Sequence, residues 1–417
     1  LFLIKNNSHG IIKNNMAADK NKNCRSSFNY KNNNYDVVVV GAGLSGAVIA
    51  DRCARVLGWR VLILDQRDHI AGNCYDYKNQ DGHLMNKYGL HLFHCNDRQT
   101  YDYIHQFSEW FRYDHKVVAR VMLHGFTEFV PVPVNMETVN KLCGTNLQTP
   151  EEMDAWLSIH QKKQNPIKTG EDAALSRVGP DLYRILFETY TIKQWAKNPS
   201  ELDRSVLERI PVRRDMDPRY FSDRFQLLPR YGYTAFVASI LNHPLITVEL
   251  NTDFFEFQKL HPTSSVSKWL VYTGPIDRFF ANAGLPQLEY RSIRFEEERV
   301  KNAYFMLPNV VVNEPGADVD YTRTVEYKHL PYNRDKGPHT TLVREYTTDV
   351  GEPFYPVPDL RNQSLYEQYR VLAEEAEAKK DLPRVLFVGR LANYKYKNMN
   401  DAIRDALEMF ESKMRNE

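Results

Sequence analysis

At 417 residues, with 54 Lys and Arg against 53 Asp and Glu and a formal charge of +1, the chain has the length of roughly two or three domains with sizeable cores. No overall field draws it to nucleic acid or to a membrane surface, and no apolar run approaches the roughly 18 residues of a membrane span; any anionic ligand must be held by local arginines. Five scattered cysteines (Cys24, Cys53, Cys74, Cys95, Cys143) without a CxxC pair indicate neither a disulfide framework nor a zinc site and fit a reducing, cytoplasmic setting.

Residues 1–34 are rich in Asn, Lys and Ser, lack periodic apolar positions and start without Met. They read as a disordered extension or a segment appended to the natural chain, with Met16 a candidate start. Residues 36–65 carry the strongest signal: Val37 to Val40, then Gly41-Ala42-Gly43-Leu44-Ser45-Gly46, a helical stretch to Leu57, and Val61-Leu62-Ile63-Leu64-Asp65. This is a strand, glycine turn, helix and strand, the pattern of dinucleotide binding. Gly41 suits the tight turn, Gly43 the approach of backbone to a pyrophosphate, and Gly46 close packing of helix on strand. Phosphates would sit at the helix N-terminus. Asp65 ends the second strand where a carboxylate can accept both hydroxyls of an adenosine ribose, favouring an unphosphorylated ribose.

A polar loop, Gln66 to Asn73, can lie along a bound diphosphate. His91 and His94 are spaced by three, but no further ligand stands at a recognised spacing, so no metal site is expected. Residues 138–211 turn helical, with Pro150-Glu151-Glu152 and Pro180-Asp181 each opening a helix. Residues 268–275 read as a buried strand and 292–355 as an antiparallel sheet forming a substrate platform. Residues 384–390 form a last strand ending in Gly389-Arg390, followed by a helix over 401–414. Most aromatics are expected in the core. Three clusters stand out: Tyr190 to Trp195 and Tyr321-Thr322-Arg323, which mix aromatics with a cation, and Arg209 to Arg213, which brings two arginines together. They suit stacking on a base or sugar and clamping of a diphosphate, although arginine on a helix face is usually solvated.

From Tyr35 onward these motifs, with Tyr272-Thr273-Gly274-Pro275-Ile276-Asp277 and Gly389-Arg390-Leu391 leading to Tyr394-Lys395-Tyr396, resemble the bacterial type of UDP-galactopyranose mutase. The resemblance implies an α/β fold with a Rossmann-like FAD-binding domain built from discontinuous segments (35–110, 232–277 and 356–417). A helical domain with a mobile substrate loop (137–217) and an antiparallel β-sheet domain (111–136, 218–231 and 278–355) would surround the cleft. It implies FAD, active when reduced, and UDP-galactose and UDP-galactofuranose as ligands. Reduced flavin N5 attacks the anomeric carbon in this family, UDP departs, and an iminium lets the sugar ring reclose.

By the same resemblance Arg209, Arg323, Tyr355 and Tyr396 are catalytic, the arginines gripping the diphosphate. Tyr190 and Asn313 hold uridine, Trp195 lies by uridine and galactose on a mobile segment, Tyr220 touches the diphosphate and Arg291 borders the cleft. Gly41, Gly43, Gly46, Asp65, Gly72, Asn73, His91, Gly389, Arg390 and Met399 surround the cofactor. Family members are often dimers, so a homodimer is an implied assembly. The chain departs from the pattern at Ala71, where glycine is common and a φ below zero would accommodate the methyl, at Phe354 for tyrosine, and at Asn398 for aspartate. An FAD oxidoreductase of amine-oxidase type and a non-catalytic nucleotide-sugar binder are the alternatives; the first has no need of paired diphosphate arginines.

Overall fold

The structure is a computed structural model and describes residues 35–379 and 382–417. The expected extension over 1–34 lies outside the described residues. Runs of β-branched and aliphatic residues without alternation build a sheet buried on both faces. Its five strands run Ile246–Glu249, Val61–Leu64, Val37–Val40, Trp269–Tyr272 and Arg384–Phe387, all parallel. The helix Leu44–Leu57 covers one face with Tyr233–Leu241 and Met399–Met409, while Phe254, Phe257, Leu365 and Tyr369 close the other. Strand order reverses between Val37–Val40 and Trp269–Tyr272, and that reversal opens a crevice at the strands' carboxyl ends.

A second sheet has seven strands in the order Tyr355–Pro356, Tyr290–Val300, Thr340–Thr348, Arg323–Glu326, Val311–Asn313, Val117–Leu123 and Phe126–Val132. It is antiparallel except where Val311–Asn313 runs parallel to Val117–Leu123. Two-residue alternation puts Val311, Val325 and Val343 in register in the core, and two residues further along it aligns Asn313, Arg323 and Glu345 on the same face. The strand Phe225–Pro229 stands apart from this sheet. It pairs with Phe93–Cys95 and Trp110–Arg112 in a separate three-stranded sheet, so of the expected sheet segment 218–231 the strand Phe225–Pro229 lies outside the large sheet, while Arg219 bridges Lys116 just ahead of Val117–Leu123.

The helical segment has a helix opening at Pro150, as expected. Thr149 and Glu152 form a reciprocal capping box on Pro150–His160. Gly179 departs from helical geometry within Gly170–Tyr183, so a fresh helical run starts at Pro180 and passes through a π turn (Arg184–Glu188) into Thr189–Trp195.

Candidate functional site

A cavity of about 330 Å³ lies in the crevice at the strand-order reversal. Gly41 has φ 108°, and a Cβ there would lie 2.1 Å from Thr273 Oγ1, so only glycine makes this turn. At Gly46 a Cβ would lie 2.0 Å from the Gly41 carbonyl oxygen, which is the close helix-on-strand packing expected of that position. The helix Leu44–Leu57 starts at Gly43 with no side-chain cap and no acid in its first turn. Its orphan N–H groups and positive dipole end therefore await an anion.

Asp65 is buried at the edge of the cavity; Oδ2 accepts from Ala42 N–H at 2.7 Å and Oδ1 from Arg67 N–H at 2.9 Å. Each oxygen keeps a lone pair for a second donor, as two ribose hydroxyls require. Gly72, Asn73 and His91 line the cavity with Gly389, Arg390, Lys397, Asn398 and Met399. His91 Nδ1–H donates to Gly89 O at 2.7 Å, which leaves Nε2 as an acceptor; burial pushes its pKa down to about 4, so the ring is neutral near pH 7. Ala71 does not satisfy the condition set for it. It adopts φ 72°, a left-handed conformation that costs an L-residue roughly 1–2 kcal/mol.

Beyond the Arg390 end, cations and phenols converge. Arg209 lies 4.2 Å and Arg390 5.2 Å from the centroid of the Tyr396 ring, which stacks on Tyr355 at 5.6 Å and 11°. Trp195 is buried and meets Tyr355 edge-on at 6.4 Å. Tyr190 and Tyr220 both feel the field of Arg323, and Tyr220 also that of Arg209. Burial would raise the Tyr396 phenol, but Arg209 and Arg390 outweigh it and lower the pKa to about 8. Burial and its neighbour Tyr396 push the Tyr355 phenol up to about 12. Register pairing sets Arg291 beside Tyr355, buried, with its Nε lacking a hydrogen-bond partner. Asn313 is the cross-strand neighbour of Arg323.

Other residues took different places. Arg213 turns away from the cluster to Asp217 and the Phe221 carbonyl. Lys193 is drawn into backbone carbonyls of the 314–321 loop. His94 pairs with Asp223 at 3.0 Å and stacks on Phe221, apart from the contacts of His91. Asn398 caps Met399–Met409 in a reciprocal box with Asp401; Asn caps a helix as well as Asp does, so the exchange keeps the cap and loses a charge.

Sequence reasoning missed Glu345 and His115. Glu345 is buried and accepts from Arg323 Nε at 2.6 Å, its other oxygen having no hydrogen-bond partner. Its signal was available: a carboxylate two residues after Val343 lies on the core face of an alternating strand. His115, buried beside Tyr220 with Nδ1 unpartnered, has no local pattern to reveal it.

A family model described as UDP-galactopyranose mutase matches residues 185–396, and one described as an NAD(P)-binding Rossmann-like domain matches residues 39–107. The chain is 35% identical to a probable UDP-galactopyranose mutase of Klebsiella pneumoniae, over 90% of this chain and 94% of that protein. It is 32% identical to the dTDP-fucopyranose mutase of Escherichia coli, over 89% and 96%. A crystal structure of reduced UDP-galactopyranose mutase superposes with a TM-score of 0.69 at 16% identity, covering 90% of this chain and 93% of that one, a likeness of fold.

Proposed function

We propose a reaction scheme for this chain on one premise: the chain belongs to the UDP-galactopyranose mutase family. Its reaction is the interconversion of UDP-galactopyranose and UDP-galactofuranose. The cavity at the uncapped Gly43 helix start would hold FAD, the orphan N–H groups receiving its pyrophosphate and Asp65 its ribose, with His91 and Met399 among the residues lining the cavity. When bound in its reduced form FAD would supply the nucleophilic electron pair for the anomeric carbon, so no protein nucleophile is needed.

The chain's own residues bind, orient and neutralise. Arg209 and Arg323 hold the diphosphate and gain strength as charge grows on it with breakage of the glycosyl bond. Tyr355, Tyr396 and Tyr220 donate hydroxyls to the same oxygens, while Tyr190 and Asn313 hold uridine and Arg291 borders the cleft. Trp195 closes over the nucleotide sugar on the mobile segment that follows Lys193, opening for entry and excluding water during reaction. Residues 35–110, 232–277 and 356–417 form the FAD-binding part, 137–217 the helical part, and 111–136 with 278–355 the sheet. A homodimer is the assembly this reading favours.

The observation that carries the reading is the convergence of Arg209, Arg323 and Arg390 on stacked phenols at one end of the dinucleotide cavity. Chromatography of UDP-galactofuranose incubated with dithionite-reduced protein tests it. Exchange of the two isomers is expected, and denaturation should release FAD. Substrate-dependent oxygen consumption, binding without turnover, or conversion of dTDP-fucopyranose alone would each replace the reading.

A pH dependence follows from Tyr396. Its phenolate and the diphosphate compete for Arg209, so binding the nucleotide restores the phenolic proton. UDP-galactose affinity should hold up to about pH 8 and then fall by up to about tenfold per pH unit. Calorimetric titration in wild type and Tyr396→Phe checks this; the same decline in both would remove the competition.

A further inference from the structure

Lys193 lies on Thr189–Trp195, one helical turn after Tyr190, and its Nζ leaves the aromatic cleft altogether. It donates to the carbonyl oxygens of Glu314, Gly316, Val319 and Tyr321 at 2.5, 2.8, 3.1 and 3.1 Å. These carbonyls belong to the loop joining Val311–Asn313 to Arg323–Glu326. Backbone bonds from Glu314 N to Thr322 O and from Thr322 N to Glu345 O close the neck of the loop. Arg120 braces it from outside through the buried Glu314 carboxylate at 2.7 Å. Asp318 and Asp320 also act on the ammonium, while burial lowers its pKa.

An ammonium has three donors, and this cage offers four oxygens. The cage thus replaces a hydration shell with backbone dipoles, as carbonyl-lined sites do for monovalent cations. We infer that Lys193 is a positioning residue whose ammonium, caged by the 314–321 loop, sets the register between the helix turn bearing Tyr190 and the strand ends bearing Asn313 and Arg323. The inference rests on the uridine site proposed above. Tyr190 approaches from the helix and Asn313 from the sheet, and the Lys193 cage ties the two together. Loss of the ammonium loosens nucleotide binding more than the chemical step.

Lys193→Met keeps the stem and empties the cage. The holoenzyme is titrated with UDP, and its kinetics measured, in tetramethylammonium chloride and in ammonium chloride of equal ionic strength. Expected are a UDP affinity weakened at least about tenfold, KM raised by a similar factor and kcat within about threefold of wild type. Ammonium should recover at least about threefold of the lost affinity and leave wild type unaffected. Unchanged UDP affinity, kcat falling as far as kcat/KM, or no recovery by ammonium overturns the inference. Should Lys193→Met fail to fold, Lys193→Gln takes its place, because its amide donates into the cage without the charge. Intermediate affinity is then expected, and wild-type affinity counts against the role. Wild-type protein that does not bind UDP overturns the uridine site and this inference together; wild-type binding with an unaffected variant overturns the inference alone.

Discussion

Arg209→Ala should lower kcat at least about tenfold while FAD stays bound and the melting temperature stays near that of wild type. Arg209 is exposed to the open cleft and forms no ion pair with a carboxylate among the described residues. Its ring contact is with Tyr396, at 4.2 Å. Its removal therefore strands no buried charge, and stability should change little. A charge-assisted bond to phosphate contributes roughly 1.5–3 kcal/mol. A bond that tightens as UDP leaves lowers turnover more than affinity, by about 10- to 150-fold. Lysine should rescue only in part, because a point charge cannot copy the planar fork. Arg98, 69% exposed and paired with Asp102 on a surface helix, is the control. Steady-state kinetics with flavin absorbance decide the matter: near-wild-type turnover in Arg209→Ala would remove the diphosphate clamp even from a proven mutase.

The parts of the fold legible in the sequence were those with strong local signals. A four-valine run, a glycine turn and a terminal acid specify the first strand–helix–strand unit, where Gly41 makes the tight turn and Gly46 the close packing that their spacing suggested. Pro150 followed by Glu151 and Glu152 announced a helix by the same kind of local chemistry. Which strands pair is a long-range matter. Nothing near Phe225 says that it joins Phe93–Cys95, and nothing near Val311 says that its neighbour on one side runs parallel.

The candidate site divides in the same way. Tyr190, Trp195, Arg209 and Arg323 stand in recognisable clusters, and the structure brings them to one cleft. Lys193 was read with its cluster but serves the loop, because a long flexible stem lets its charge leave the face that its backbone occupies. Ala71 shows the limit of reading a substitution from the residue alone: the left-handed turn kept its geometry, and the methyl is carried at positive φ.

Arg323 differs from Arg209 in having a buried partner, and its replacement should act on stability as well as turnover. The Glu345 side chain is 2% exposed and its carboxylate receives Arg323 Nε at 2.6 Å. Arg323→Ala leaves that charge unpaired in the core of the sheet, a change that costs roughly 3–5 kcal/mol. Loss of activity in this variant alone therefore cannot distinguish a catalytic arginine from a structural one. The double variant Arg323→Met with Glu345→Gln removes both charges at nearly constant volume, and should recover most of the lost stability in urea unfolding while retaining FAD. Turnover should remain at least about tenfold below wild type, because the diphosphate has lost a donor that the pairing with Glu345 never replaced. Glu345→Gln alone frees the guanidinium from its competitor, so UDP should bind more tightly to it than to wild type. Recovery of turnover together with stability in the double variant would mean that Arg323 only neutralises Glu345, leaving Arg209 to hold the diphosphate alone.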